Sequence, residues 1–342
     1  MRQVRALRAA LIALLVVPVA LSVLTIGSPW ARAAGPDHVS LRTNWLWYGS
    51  HSVFFLAKKL GYYQAANLDV DIKQGNGSGN VARLIANKDS TFGYISIAAL
   101  INTAAQGAPI IGVATIDATG TDAVLCRPDS GIKTIKDLNG KEILTTAGAG
   151  VNAFWPVVVQ VAGLDEKSIK LVNVAENALT PSYLKGMAPC MLGGIDDKPA
   201  EIEANGGKPP VEFLYSDYGV NQPGYAIATH RDLVKSNPDL VRRFVYASLR
   251  GVKAAQANPD AAVAALSDWS SLDADQTKQA RQVLDVTLSI LYSKNNVHKI
   301  LGLNVAQDWA SALDLLKKYR GLETNMTADQ FYTNQFVPRS LQ

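Results

Sequence analysis

The chain is expected to fold as an α/β protein of two lobes joined by two crossing segments, with a cleft between them. Three patterns predict this. Strand-like and helix-like segments alternate from residue 39 onward, the alternation restarts near Val124, and the apolar run Tyr225–Thr229 reads as a strand returning to the first lobe. Repeated β-α units imply sheets covered by helices on both faces. The expected boundaries are residues 39–124 plus 225–342 for the first lobe and 125–224 for the second, with crossings near 120–127 and 222–228.

In the first lobe, Val39–Trp45 alternates apolar and polar residues and reads as a strand. An aromatic loop with Trp45, Trp47, Tyr48 and His51 follows, and then Ser52–Leu60, apolar enough for a mostly buried helix. The turn Gly61-Tyr62-Tyr63 leads to a second strand, Leu68–Ile72. A glycine loop, Gly75-Asn-Gly-Ser-Gly-Asn80, opens a short helix at Val81–Ala86. Thr91–Ile97 is a strand, a helix runs through Ala105, and Gly107-Ala-Pro-Ile110 opens the next strand.

In the second lobe, Ser130–Lys141 reads as a loop, a short helix and a turn, and Glu142–Thr145 as a strand. A second glycine loop, Gly148-Ala-Gly-Val-Asn152, precedes an apolar helix at Ala153–Ala162. Ile169–Val174 is a strand, a helix lies near Ser182–Lys185, Cys190–Ile195 is a strand ending at Asp196-Asp197, and Val211–Tyr215 is another. After the return strand, two helices begin alike, at Asn237-Pro-Asp and Asn258-Pro-Asp. Asparagine caps, proline takes the first helical position, and aspartate complements the dipole. Further helices are expected at Asp275–Tyr292 and Val305–Tyr319, the latter placing Trp309, Leu313 and Leu316 on one face.

Upstream of all this, Arg2, Arg5 and Arg8 precede an apolar stretch to Ile26, and Ala31-Arg-Ala33 has a small-x-small pattern. That is the pattern of a cleaved secretory leader, residues 1–33, and implies a periplasmic location. A membrane anchor is the alternative, disfavoured by Pro18 inside the run. The leader holds four arginines and no acid, so its removal lowers Lys+Arg from 33 to 29, equal to the 29 Asp+Glu. A formally neutral mature chain gives no reason to expect a nucleic-acid or membrane-surface partner. Cys126 and Cys190 are read as two buried thiols, with a bridge as the alternative in an oxidising compartment. Four scattered histidines show no metal-ligand spacing, and no metal or cofactor is expected.

Binding candidates cluster at loop and strand ends. Each glycine loop precedes a helix, whose first N–H groups lack intrahelical acceptors and can hold an anion or a polar oxygen. Gly77, Ser78 and Asn80 are the candidates in the first loop, Gly148 and Asn152 in the second. Neither loop ends in the Lys-Ser/Thr of a nucleotide P-loop, and ordinary strand-to-helix turns remain the alternative. Trp45, Tyr48 and His51 are expected to line the cleft and stack on a planar solute, with Trp47 undecided and Phe54 and Phe55 in the core. In the second lobe Trp155, Asp196 and Tyr225 are candidates: Asp196 could accept from a ligand amine or cap the next turn, and Tyr225 could line the cleft or pack. No catalytic motif is present: no Gly-x-Ser-x-Gly elbow, no His-Glu-x-x-His, and no cysteine near a histidine in sequence.

The opening Asn44-Trp45…His51…Ala57-Lys58…Gly61-Tyr-Tyr…Leu68-Asp-Val, continued by Phe92-Gly93, Gly107-Ala-Pro-Ile, Lys136-Asp-Leu-Asn-Gly-Lys141 and Asn237-Pro-Asp, resembles a known group. It is similar to the thiamine-pyrimidine-precursor and nitrate/sulfonate/taurine group of ABC-importer solute-binding proteins, over about residues 39–265. The resemblance implies a type II periplasmic-binding fold, capture of a small solute and its delivery to an ABC permease in the inner membrane by a monomeric receptor. It also implies cleft contacts at Trp45, His51, the Ser78–Asn80 loop, Ser96 and the Gly148–Asn152 loop. With the aromatic wall, it points to a planar or heteroaromatic solute with a polar or anionic group, such as a thiamine-pyrimidine precursor or an aromatic carboxylate or sulfonate. The same superfamily contains a fungal pyrimidine-precursor synthase. Its lysine and histidine after the Phe-Gly-type dipeptide are absent from Phe92-Gly-Tyr-Ile-Ser-Ile-Ala-Ala99, and its cysteine run is absent from Tyr218–Gly224. A binding protein is therefore expected rather than an enzyme, with a solute-presenting sensor protein as the further alternative.

Overall fold

Two five-stranded mixed sheets, each with helices packed against it, organise the chain. The computed structural model describes residues 35–146 and 149–341, so the expected leader and Gly148 lie outside the described residues. In chain order the elements are β1 (Asp37–Arg42), α1 (Ser52–Lys59), α2 (Tyr62–Ala65), β2 (Leu68–Lys73), α3 (Ser78–Ala86), β3 (Phe92–Ser96), α4 (Ile97–Ala105) and β4 (Ile110–Thr115). Then come β5 (Asp122–Cys126), β6 (Glu142–Thr145), α5 (Trp155–Ala162), β7 (Lys170–Asn173), α6 (Glu176–Leu184), β8 (Cys190–Gly194), α7 (Lys198–Ala204) and β9 (Val211–Leu214). The chain ends with β10 (Tyr225–His230), α8 (Arg231–Ser236), α9 (Pro238–Ala257), α10 (Pro259–Ser270), α11 (Ala274–Ser289) and α12 (Ala306–Arg320).

The first sheet has the order β2-β1-β3-β10-β4 and the second β7-β6-β8-β5-β9, the same arrangement twice. In each, one strand runs antiparallel to its neighbours: β10 between β3 and β4, and β5 between β8 and β9. Each of these arrives from the other sheet, so the chain crosses between the sheets at residues 116–121 and again at 219–224. This is the two-lobed α/β architecture with a cleft at the crossings. Residues 36–342 form one compact unit. Across the boundary the Gln282 amide donates to Glu203 at 3.0 Å and the Tyr319 hydroxyl lies 3.0 Å from Oε1 of Gln160.

Burial follows strand position. β2, at an edge, alternates buried Leu68, Val70 and Ile72 with exposed Asp69, Asp71 and Lys73. β4 is also at an edge, yet all six of its residues are buried. Its free side is covered by the C-terminal segment, with Gly112 N–H donating to Phe331 O at 2.9 Å and Thr115 N–H to Gly302 O at 3.0 Å. A covered edge is closed to pairing with a second chain.

Both Asn-Pro-Asp helix starts form as the sequence predicts. Asn237 Oδ1 accepts from Leu240 N–H at 3.1 Å and Asn258 Oδ1 from Ala261 N–H at 3.0 Å. Asn237→Ala is expected to cost about 1 kcal/mol of stability, measurable as a lower midpoint of urea unfolding with an unchanged slope.

Cys126 and Cys190 are not two thiols. They form a disulfide, with Cα atoms 4.0 Å apart. The cause is register: antiparallel β5 and β8 set Cys126 directly opposite Cys190, a pairing invisible in residues 64 positions apart.

Candidate functional site

The aromatic loop after β1 is held by one buried imidazole. His51 is fully buried. Its Nδ1 accepts the Tyr48 N–H at 3.3 Å and its Nε2 lies 2.7 Å from Oδ1 of Asn44. An accepting Nδ1 places the ring proton on Nε2, donating to Asn44. Burial pushes the imidazole down to about 3, so it is neutral through the physiological range. His51 thus holds Tyr48 in place from behind instead of lining the cleft itself. Gly49 is required beside it: a Cβ there would run into the backbone oxygen of Ala280 on α11.

A row of rings leads inward from Tyr48. The Tyr48 ring meets His51 edge-on at 4.4 Å, His51 meets Tyr94 edge-on at 5.7 Å, and Tyr94 stacks on Tyr225 at 5.1 Å. Tyr225 opens β10 opposite Ser96 of β3, so it stands at the crossing between the sheets. Tyr94 donates its hydroxyl to Oδ2 of Asp117 at 2.8 Å. Tyr48 and Tyr225 are half-buried, whereas Tyr94 is fully buried. Burial foremost, then the neighbouring carboxylates, raises all three phenols far above their ordinary range, so they remain protonated donors.

Three aspartates stand at strand ends beside the first crossing, where Ile195 N–H donates to Thr121 O at 2.9 Å. Asp117 follows β4, Asp122 opens β5, and Asp196 lies just beyond β8. The β5–β8 register sets Asp122 opposite Gly194, and the Asp196 carboxylate folds over Gly194 in the space a side chain there would fill. Burial, with Asp196 adding like charge, pushes Asp117 and Asp122 each up to about 7. Asp197 rises to about 7 for the same two reasons, partly offset by Lys198. Burial also raises Asp196, against a hydrogen bond from Thr121.

The first glycine loop folds tighter than expected. Its last residues are the first turn of α3, which begins at Ser78 rather than Val81. Gly77 sits at φ +111°, a conformation reserved in practice for glycine, and donates to Asn44 O at 2.7 Å. This ties the glycine loop to the aromatic loop. The Ser78 and Gly79 N–H groups begin the helix and have no intrahelical acceptor. Ser78 Oγ accepts from Ser96 N–H at 3.0 Å, while Ser96 Oγ caps α4 through Ala99 N–H at 3.3 Å. Asn80 bonds back to Asn76.

In the second lobe the helix after the glycine loop starts at Trp155, preceded by a single 3-10 turn over Gly150–Ala153. Asn152 is spent on its own loop, bonded to Thr145 Oγ1 and donating to Thr146 O at 2.9 Å. Trp155 is only 3% exposed and its ring lies 6.4 Å from that of Tyr215, so it serves the core. Trp47 likewise packs edge-on against Phe55 at 5.1 Å. Trp45, by contrast, is 53% exposed beside exposed Leu46.

Of the expected residues, then, the structure joins Tyr48 and Tyr225 in one row of rings and ties Gly77, Ser78 and Ser96 to it through the two loops, while Asp196 stands just beyond β8. Tyr94, Asp117 and Asp122 were missed. Asp117 and Asp122 carried the signal that singled out Asp196, an acid at the end of a buried strand; Tyr94 looked like one apolar residue of a strand. Two surface hollows, about 620 Å³ beside His38, Lys58 and Asp69 and about 480 Å³ between α5 and α12, include no residue of this cluster. Among the described residues no cluster of metal-ligating side chains occurs, and no helix is long and apolar enough to cross a membrane.

Similarity to known proteins bears on this geometry. Residues 49–262 match the family model described as NMT1/THI5 like. The riboflavin-binding protein RibY of Chloroflexus aurantiacus is 24% identical over 291 residues, 83% of this chain and 82% of that protein. Among solved structures, the periplasmic aliphatic sulphonate binding protein SsuA from Escherichia coli superposes with a TM-score of 0.68 at 15% identity, covering 87% of this chain and 92% of that one. The periplasmic nitrate-binding protein NrtA from Synechocystis PCC 6803 does so with a TM-score of 0.58 at 12% identity, covering 88% and 87%. The doubled sheet order, the two crossings and a family match over most of the chain lead to one statement: the chain belongs to the NMT1/THI5 like family and has the periplasmic-binding-protein fold.

Proposed function

We propose that this protein is the exported solute receptor of an ABC importer, and that it captures a small planar heteroaromatic solute between its two sheets and delivers it to a membrane permease. The observation that carries the reading is the row of rings from Tyr48 through His51 and Tyr94 to Tyr225, which ends where the chain crosses between the sheets. Ligands of open α/β folds sit at such strand ends. The tyrosine faces supply stacking area, and the free N–H groups opening α3 can take a solute oxygen. Trp45, exposed at the mouth, would close over the solute. The relatives named above are binding proteins by their own names, for riboflavin, sulphonate and nitrate, which supports a receptor and leaves the solute to the chemistry of this cleft.

A receptor fits the cleft better than an enzyme does. Both histidine nitrogens of His51 are occupied, and both cysteines are joined to each other. Neither is available as a nucleophile or base. Lobes spanning residues 39–124 plus 225–342 and 125–224 would move about the crossings, the closed form favoured by whatever contacts the solute makes only there. The leader would place the mature chain, as a monomer, in the periplasm.

Thermal unfolding in the presence of a panel of riboflavin, aminopyrimidines, aromatic carboxylates and aromatic sulfonates tests the reading. A planar compound at a hundred times its Kd should add about 2.7 kcal/mol of stability, and Tyr225→Ala should abolish the shift. No response to any planar compound would remove the aromatic-solute reading.

A further inference from the structure

We propose that Asp117 is the positioning residue of the solute wall: it clamps the stacked rings of Tyr94 and Tyr225 to the crossing segment, so that the wall keeps its shape only while the crossing holds its register. The inference rests on the row of rings being the solute wall and names what fixes that wall in place.

Asp117 lies in the first crossing, just beyond β4, and grips both tyrosines. Its side chain holds Tyr94, whose hydroxyl donates to Oδ2 at 2.8 Å. Its backbone holds Tyr225: Asp117 N–H donates to Tyr225 O at 3.2 Å, and Asp117 O accepts from Tyr225 N–H at 3.3 Å and from Gly224 N–H at 2.8 Å. The two rings so held stack with centroids 5.1 Å apart and planes 25° from parallel. The crossings leave little slack between them. A Cβ on Gly224 would lie 3.1 Å from Asp117 Cβ and 3.2 Å from Thr119 O. Gly120 N–H donates to Gln222 O at 2.8 Å, a second link between the crossings, and Ala118 N–H donates to Ile290 O at 2.8 Å, which pins the first crossing beside the end of α11. One residue thus joins β3, through Tyr94, to β10, through Tyr225, where the chain passes between the sheets.

The side chain has no second hydrogen bond among the described residues. Asp117 is 3% exposed, and its Oδ1 has no partner. Losing the acceptor would strand the buried Tyr94 hydroxyl, a cost the ring relieves only by moving. Tyr94 also meets His51 edge-on at 5.7 Å, and His51 accepts the Tyr48 N–H. Movement of Tyr94 therefore disturbs the row on both sides, toward Tyr48 and toward Tyr225. The clamp requires an acceptor at this place and not a charge, because an amide oxygen can take the same hydroxyl. That requirement separates a positioning role from direct contact with the solute.

Calorimetry with riboflavin and near-ultraviolet circular dichroism, both on the full mature chain, test this together. Asp117→Ala should weaken riboflavin binding about tenfold. It should also shed tyrosine dichroism that Tyr225→Ala sheds, with the backbone spectrum unchanged. Asp117→Asn should keep the tyrosine signal and stay within about threefold of the wild-type affinity. Tyr94→Phe, which removes only the hydroxyl, should match Asp117→Ala in affinity, and combining the two should weaken binding no further. Should Asp117→Ala not fold, Asp117→Asn and Tyr94→Phe decide the matter alone. Wild-type affinity in Tyr94→Phe, or an unchanged tyrosine signal in Asp117→Ala, would overturn the proposal; so would Asp117→Asn losing as much affinity as Asp117→Ala, which would make the carboxylate a direct solute contact. If the clamp fails in these ways while Tyr225→Ala abolishes binding, the receptor reading stands. If the tyrosine signal responds as expected but no planar compound binds the wild type, the clamp stands and the aromatic-solute reading fails.

Discussion

Replacing His51 with alanine is expected to lower the unfolding free energy by about 3 kcal/mol and to remove solute binding as well. The side chain is fully buried, so its loss leaves a cavity between Tyr48 and Tyr94, the two rings it meets edge-on. It also strands the Tyr48 N–H and Oδ1 of the Asn44 side chain in the interior. Both belong to the loop that carries the Tyr48 ring, and Asn44 O anchors Gly77 at the start of α3. One substitution therefore loosens the aromatic wall and the N–H-rich helix start together. Denaturant unfolding measures the first effect and titration of a planar ligand the second. A loss below about 1 kcal/mol would mean that the imidazole is not what fixes the loop.

The same residue gives a pH signature with a definite sign. With a folded value of about 3 against an ordinary 6.5, the depressed imidazole contributes stability that is present above about 6.5 and lost as pH falls toward 3. Asp117 and Asp122 act the other way. Raised to about 7, they favour the folded state fully below their ordinary value of 3.8, and that contribution is lost as pH rises through 7. Wild type minus His51→Ala isolates the first trend, which should shrink on acidification.

The second large effect belongs to the disulfide. Its closed loop spans 64 positions and contains β6, α5, β7 and α6, most of the second sheet's framework. The loop-closure entropy it removes from the unfolded chain corresponds to about 4 kcal/mol. The double variant Cys126→Ala with Cys190→Ala should lose stability by that order and match the wild type unfolded under reducing conditions. Small alanines keep the interior apolar, so packing contributes little to the difference. If variant and wild type unfold at the same denaturant concentration, the bridge is not formed in solution.

The fold was readable because its signals are local. The repeated Asn-Pro-Asp starts at Asn237 and Asn258, the alternation of Leu68–Ile72 and the return strand at Tyr225 each stand within a few residues, and all take the form expected. The site was less readable because burial and register are not local. His51 and Trp155 are indistinguishable in sequence from cleft residues; only packing shows that one supports Tyr48 and the other fills the core. Asn152 looked like a ligand group and is used up by Thr145 and Thr146. The partnership of Cys126 with Cys190, and of Asp122 with Asp196, depends on which residues β5 and β8 set opposite each other, which no spacing in the chain encodes. The helix at Arg231–Ser236 passed unnoticed because it is one short, half-exposed turn pair capped by His230, whose ring accepts from Asp232 N–H at 3.0 Å.

A crystal structure of the mature chain with the planar compound that most raises its melting temperature tests the central claim most directly. The account predicts the compound between the two sheets, with its face on Tyr48 and Tyr225. A compound bound elsewhere, such as the hollow beside His38 and Asp69, with the crossing segments and Tyr225 untouched, would contradict it.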